Sequence, residues 1–202
     1  MALVVERIEA DRLEAALDDV ARLRIRVFRD YPYLYDGDMA YERRYLESYR
    51  TSPGAIVVGA WDGAALVGAA TGTPMEDHAD EFGAPFVAAG YDLADMFYCA
   101  ESVLLPAYRG QGAGHAFFDL REAHARALGR RWSCFCSVQR GPERRPADYR
   151  PLDDFWRKRG YAPMPGVLAR FKWKDVGDAA ETEKSLQFWI RALDARRGEG
   201  SP

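Results

Sequence analysis

The chain has 202 residues, 48% of them apolar, three cysteines and a formal net charge of −3. That length fits one α/β domain with a substantial core, and the slightly acidic balance argues against nucleic acid or an anionic membrane surface as the main partner. Three cysteines are too few, and odd in number, for a disulfide framework. No apolar stretch approaches ~18 residues and MALVVERIEADR lacks a basic region followed by an apolar one, so a soluble protein of the reducing cytoplasm is expected.

Residues 3–8 form a short β-rich run. Asp11 is placed to cap the next helix, where Leu13, Ala16, Leu17, Val20, Leu23 and Val27 recur at helical spacing until Pro32 stops it. DYPYLYD is a turn, and 39–49 returns to helical spacing. Six tyrosines lie between Tyr31 and Tyr49. They are either packing at a domain edge or the wall of a substrate pocket, since tyrosine joins a ring to a hydroxyl. Apolar runs at 54–61 and 64–73, joined by Asp62-Gly63, read as an antiparallel hairpin.

Residues 74–95 show no sustained period and read as a loop, whose Glu76, Asp77, Asp80 and Glu81 either attract a cationic amine or stay solvated. A strand is expected over 97–105. After the glycine turn comes a helix ending at Gly129, with Ala116, Phe117, Leu120, Ala123, Ala127 and Leu128 as its apolar stripe. A strand at 132–138 leads into the basic, turn-rich 139–150. Pro151 introduces a short helix over 152–159 that Gly160 stops. Strands at 167–173 and 185–193 complete a single domain over 1–195, with 196–202 as a flexible tail.

The most informative stretch is MFYCAESVLLPAYRGQGAGHAFF, where an apolar run leads through glycines into a helix. Gly110, Gly112 and Gly114 let the main chain curl around a ligand, and the first-turn amides of the helix have no intrahelical acceptor. This is an anion site, most naturally for phosphate. Neither the dinucleotide fingerprint nor the P-loop pattern fits it. Pro106-Ala107-Tyr108 followed by Arg109-x-x-Gly112-x-Gly114 resembles the acetyl-CoA motif of the GNAT superfamily of N-acetyltransferases, and PLDDFWRKRGY resembles the second motif of that family.

The resemblance implies an α+β fold: a central mixed, mostly antiparallel sheet of about seven strands, flanked by about four helices and splayed between the fourth and fifth strands. It implies acetyl-CoA as cosubstrate, an amine of a small molecule or protein as acceptor, no metal, and direct attack in a ternary complex. Arg109, Gly110, Gln111, Gly112, Ala113, Gly114 and His115 would hold the pyrophosphate, and a strand amide near Val103 or Leu104 would polarise the thioester carbonyl. A homodimer is compatible with such a fold.

Glu101 is the only acid in 97–105, and on an alternating strand it shares a face with Cys99 and Val103. Partial burial would raise its pKa towards the range of a general base; the other reading is a glutamate that holds a loop or an arginine. Many relatives place a tyrosine four residues before the glycine of the second motif, as acid for the leaving thiolate. Trp156 stands there instead, stacking on the pantetheine or packing in the core, and Tyr149 is the expected acid, with Tyr161 or solvent as substitutes. Tyr33 and Tyr35 are the expected acceptor contacts. The four arginines of 139–150 either meet the 3′-phosphate or stay solvated. Cys134 and Cys136 share a strand face but lack a second ligand pair for zinc. The runner-up function is a non-catalytic acyl-CoA-binding or regulatory module of the same fold.

Overall fold

The hairpin at Asp62-Gly63 is the start of an eight-stranded sheet. β2 (Ile56–Asp62) and β3 (Ala65–Pro74) pair antiparallel, and β1 (Val4–Arg7) lies on the outer edge of β2. On the other side of β3, β4 (Met96–Tyr98) is followed by a parallel neighbour, β6 (Trp132–Val138). β8 (Glu181–Ala192) and β7 (Ala162–Lys174) then close the sheet antiparallel. β5 (Ser102–Leu104) pairs with β3 alone. The sheet is mixed and mostly antiparallel, as expected. The computed structural model describes residues 3–193, and the tail expected over 196–202 lies outside them.

α1 (Ala10–Phe28) and α2 (Met39–Thr51) cover one face, packing on Val57, Ala69 and Val103. α4 (Ala113–Ala127) and α5 (Asp153–Lys158) cover the other, where Phe117, Phe118, Phe155 and Trp156 meet Val58, Ala70 and Phe135. α1 starts before Asp11 and has no side-chain cap. Asp38 does cap α2, accepting from the amides of Ala40 and Tyr41 at 2.9 and 3.0 Å.

Three expectations need correction. Residues 74–95 are not a loop: they wind through short helical turns and α3 (Ala84–Ala88), burying Met75, Phe82 and Phe86. Three of the four acids have partners, Glu76 with Arg130 at 2.8 Å, Asp77 with Ser52 at 2.6 Å and Glu81 with His78 at 3.1 Å. Second, β7 and β8 are longer than read. β7 takes in Pro163 because it is an edge strand, where a missing N–H is tolerated.

Third, the strand expected over 97–105 is broken. Thr73 pairs with Tyr98 and Ala70 with Ser102, so residues 99–101 oppose only Thr71 and Gly72. The extra residue is a β-bulge, and it reverses the side-chain alternation. Cys99 packs on the α4 face while Val103 packs under α1, so Glu101, which points to α1, shares its face with Val103 and not with Cys99.

The turn between α1 and α2 is fastened to the β7–β8 hairpin by Asp175, which is 3% exposed. Arg140 grips both its oxygens at 2.6 and 2.7 Å and also donates to the carbonyls of Pro32 and Tyr33 at 2.9 and 2.6 Å. Lys184 approaches Asp175 at 3.2 Å. Burial works to raise the Asp175 pKa, but the hydrogen bonds from Arg140 and Lys184 outweigh it and hold the carboxyl below its ordinary value. Such a group gives stability that is present above the unfolded pKa near ~3.9 and is lost as pH falls through the folded one. Asp175→Asn is expected to cost about 3 kcal/mol near neutral pH. The gap in melting temperature from wild type should narrow between about pH 5 and about pH 3. Thermal melts followed by circular dichroism check this, and a gap independent of pH would contradict it.

Candidate active site

β4 and β6 stay paired only from Met96↔Trp132 to Tyr98↔Cys134, after which the Cys99 amide donates to the Cys134 carbonyl at 2.8 Å. Beyond that point β5 follows β3 and β6 follows β8, and the sheet opens as a wedge. The ladder decides which backbone groups face it. The Glu101 carbonyl accepts from the Thr71 amide and the Leu105 amide donates to the Val67 carbonyl, both at 3.0 Å. By alternation Val103 is tied to β3, and the N–H groups of Ser102 and Leu104 point into the wedge. On the far side the Cys134 carbonyl faces β4 and the Gln139 amide bonds to Ser185 of the β8 segment, so Cys136 and Val138 turn their backbone to the same opening. Two unpaired strand edges face one gap, which an extended chain can join.

The glycine turn stands beside this wedge. Gly110 and Gly112 have φ of +77° and +87°, in the left-handed region that favours glycine, and a side chain at either would meet nothing within 4 Å. The Gly112 carbonyl takes the amides of His115 and Ala116 at 3.0 and 3.2 Å. No acceptor among the described residues takes those of residues 110–114. Consecutive free donors at the N-terminus of a 15-residue helix make an anion site. Around it, Tyr108 donates to Asp62 at 2.9 Å, Arg109 to the Leu104 carbonyl at 3.3 Å and Gln111 to the Ala107 carbonyl at 3.2 Å. The His115 Nδ1 accepts from Arg159 at 3.1 Å, and its ring meets Phe155 edge-on at 4.9 Å.

Solved structures share this fold. The yncA protein of Salmonella typhimurium, solved with its cofactor acetyl-CoA, matches over 100% of both chains with a TM-score of 0.61 at 12% identity. A GNAT superfamily phosphinothricin acetyltransferase from Sinorhizobium meliloti, in complex with acetyl-CoA, matches over 100% of this chain and 94% of its own, with a TM-score of 0.60 at 16% identity. The chain has the GNAT fold. A ribosomal-protein-alanine N-acetyltransferase from Brucella melitensis matches over 94% of this chain and 99% of its own, with a TM-score of 0.60 at 14% identity. No family model and no curated protein matches the sequence.

Within this GNAT fold the bulge sends the Glu101 side chain towards α1 and α2. There it ion-pairs with Arg24, which also pairs with Glu42, and it accepts from the Tyr45 hydroxyl at 2.9 Å. All three charged side chains are nearly or wholly buried, at 9% or less exposure. Arg24 lies over the Tyr45 ring at 4.2 Å, and Tyr45 touches Tyr49 through hydroxyls 3.2 Å apart. Burial, then the Glu101 charge, pushes the Tyr45 hydroxyl well above its ordinary value, so it stays a donor. Sequence reasoning missed Arg24 and Glu42, and held Tyr45 only as one of the six tyrosines between Tyr31 and Tyr49. A signal existed for Arg24: it sits four residues after Val20 and four before Phe28, on the buried stripe of α1.

Trp156 packs against Phe135 and Trp189, with ring centroids 5.0 and 5.1 Å away. Tyr149 is half-buried and meets Tyr31 edge-on at 4.7 Å. Both tyrosines line a cavity of about 400 Å³ with Ser137 and Val138, at the end of β6, and Trp189. Burial raises the Tyr149 pKa above its ordinary value, which keeps its proton in place at neutral pH. Tyr33 is held between Phe28 at 4.4 Å and Trp173 at 6.0 Å, and Tyr35 packs near Glu42 and Tyr41. Of the 139–150 arginines, Arg140 is structural and Arg144 pairs with Asp178 at 2.9 Å. Burial pushes the Cys136 thiol up to about 12, so it is no nucleophile, and it contacts the Tyr98 hydroxyl at 3.2 Å.

Proposed function

We propose that the protein is an acetyl-CoA-dependent N-acetyltransferase acting on an amine of a small molecule or protein. The observation that carries this reading is the alignment of two features: the free amides of residues 110–114 and, beside them, a wedge with unpaired strand edges on both sides. One suits a pyrophosphate and the other an extended amide-bearing arm. The neighbours solved with acetyl-CoA support the match. Acetyl-CoA supplies the activated acetyl thioester. Gly110, Gln111, Gly112, Ala113 and Gly114 hold it through backbone N–H groups, with Arg109 and His115 beside them; the His115 amide itself is taken by the Gly112 carbonyl. The Leu104 amide faces the wedge and serves a carbonyl of the coenzyme, whereas that of Val103 is tied to β3. Trp156 backs the arm through its ring.

Glu101 takes the proton of the incoming amine as part of the Arg24 and Tyr45 network, and Tyr149 gives one to the departing thiolate. Tyr33 and Tyr35 belong to the acceptor wall. The three free, buried thiols support a cytoplasmic location.

Calorimetry with acetyl-CoA, followed by thiol-release assays against amines, polyamines, aminoglycosides and peptides, tests the reading. Glu101→Gln and Tyr149→Phe are each expected to lower turnover by about 10²–10⁴ without weakening coenzyme binding. Full activity of Glu101→Gln across pH would remove its assigned role. Trp156 favours a second reading, since no hydroxyl stands at that place: a binding module would bind acetyl-CoA and acetylate nothing in the panel.

A further inference from the structure

Arg121 is the largest wholly buried side chain of the described residues, 1% exposed, and sits on the apolar stripe of α4. Its Nε donates to the Phe117 carbonyl one turn back at 3.1 Å. One terminal nitrogen donates to the carbonyls of Thr71 and Glu101, both at 3.0 Å, and the other to the Ser102 hydroxyl at 2.9 Å. The guanidinium lies over the Phe118 ring at 4.9 Å. Every hydrogen-bond partner is uncharged. A buried cation without a carboxylate is costly unless dipoles answer it, and here the answering dipoles are the peptide groups of the bulge.

The placement has a chemical consequence. The Glu101 carbonyl points towards β3, where Thr71 and Arg121 both reach it. A trans peptide unit sets its N–H opposite its C=O, so the Ser102 N–H points away from β3 into the wedge. Drawing electron density onto the carbonyl oxygen makes the N–H of the same peptide unit a stronger donor. Arg121 also ties this peptide to the helix whose N-terminus forms the anion cradle, which fixes the spacing between the two.

We infer that Arg121 is a positioning residue: it pins the bulge and polarises the Glu101–Ser102 peptide, so that the Ser102 N–H donates to the thioester carbonyl of bound acetyl-CoA. The inference rests on the acetyl-CoA reading above. The Leu104 N–H stands two residues on along the same edge, roughly 6.6 Å away, so one oxygen meets only one of the two and the Leu104 N–H serves a carbonyl of the pantetheine arm; neither side chain takes part in the chemistry.

The test needs no acceptor amine. With acetyl-CoA carrying ¹³C at the thioester carbonyl, wild type should shift the carbonyl stretch to lower frequency on binding, read by isotope-edited infrared spectroscopy. Arg121→Lys keeps the cation but, with one nitrogen in place of three, cannot span the four acceptors. It should bind acetyl-CoA within about threefold of wild type and lose most of the shift. A full shift in Arg121→Lys, or a loss of coenzyme affinity in step with the loss of shift, would overturn the inference in favour of a purely structural arginine. Should Arg121→Lys not fold, wild type still decides: the Ser102 amide resonance in ¹H–¹⁵N spectra should move with acetyl-CoA and stay in place with free CoA. An unmoved resonance rejects the role. Absence of acetyl-CoA binding by wild type in calorimetry is a different failure, and it removes the coenzyme reading together with the inference built on it.

Discussion

Gly112→Trp is expected to lower acetyl-CoA affinity by at least about a hundredfold, roughly 2.8 kcal/mol, while the protein remains folded. The reason is the disposition of the turn. Gly112 has φ +87° and no protein atom lies within 4 Å of where its Cβ would stand, so an indole there fills the open ground in front of the free amides and displaces no core residue. The backbone cost of a non-glycine residue in the left-handed region is about 1–2 kcal/mol, equivalent to a fall in melting temperature of roughly 2–8 °C for a chain of this size. Gly112→Ala carries the same backbone cost without the ring and should lose far less affinity, which separates strain from occlusion. S-acetylpantetheine lacks the pyrophosphate and should bind wild type and Gly112→Trp alike. Calorimetric titration of the three proteins checks the set, and unchanged affinity for acetyl-CoA in Gly112→Trp would move the cradle elsewhere.

The glycine turn was legible in the sequence because its chemistry belongs to the backbone: positive φ at Gly110 and Gly112 and free helix amides need no distant partner to be recognised. The hairpin at Asp62-Gly63 and the stripe of α1 were legible for the same local reason. The bulge was not. One extra residue among 99–101 leaves no mark on composition or period, yet it turns Cys99 and Val103 to opposite faces and sets where Glu101 points. Helical turns over 75–95 were hidden because Gly83 and four acids interrupt the spacing of Met75, Phe82 and Phe86. Arg24 and Arg121 were overlooked for a third reason: a charged residue on an apolar stripe looks like an interruption until the strand carbonyls or carboxylates it reaches are known. Both converge on Glu101, Arg24 through its side chain and Arg121 through its carbonyl. The bulge is thus held by one buried cation from each face of the sheet.

That double hold makes Arg24 the position where a single substitution should cost most stability. Glu42 is fully buried and Glu101 nearly so, and Arg24 is the cation that pairs with both. Arg24→Met matches the length of the side chain and leaves two carboxylates in the interior without a counter-ion. Breaking a buried pair in this way costs about 3–5 kcal/mol, a large part of the roughly 5–15 kcal/mol that keeps a domain folded, and should lower the melting temperature by about 6–20 °C. The triple variant Arg24→Met, Glu42→Gln, Glu101→Gln removes the stranded charges and should recover most of that loss, because a buried ion set replaced by neutral groups is often close to neutral in stability. Urea denaturation of wild type, Arg24→Met and the triple variant reads the difference directly. A triple variant as unstable as Arg24→Met would show that the loss comes from packing against Phe28 and Tyr45, which the Arg24 guanidinium covers at 5.2 and 4.2 Å, and that charge is secondary.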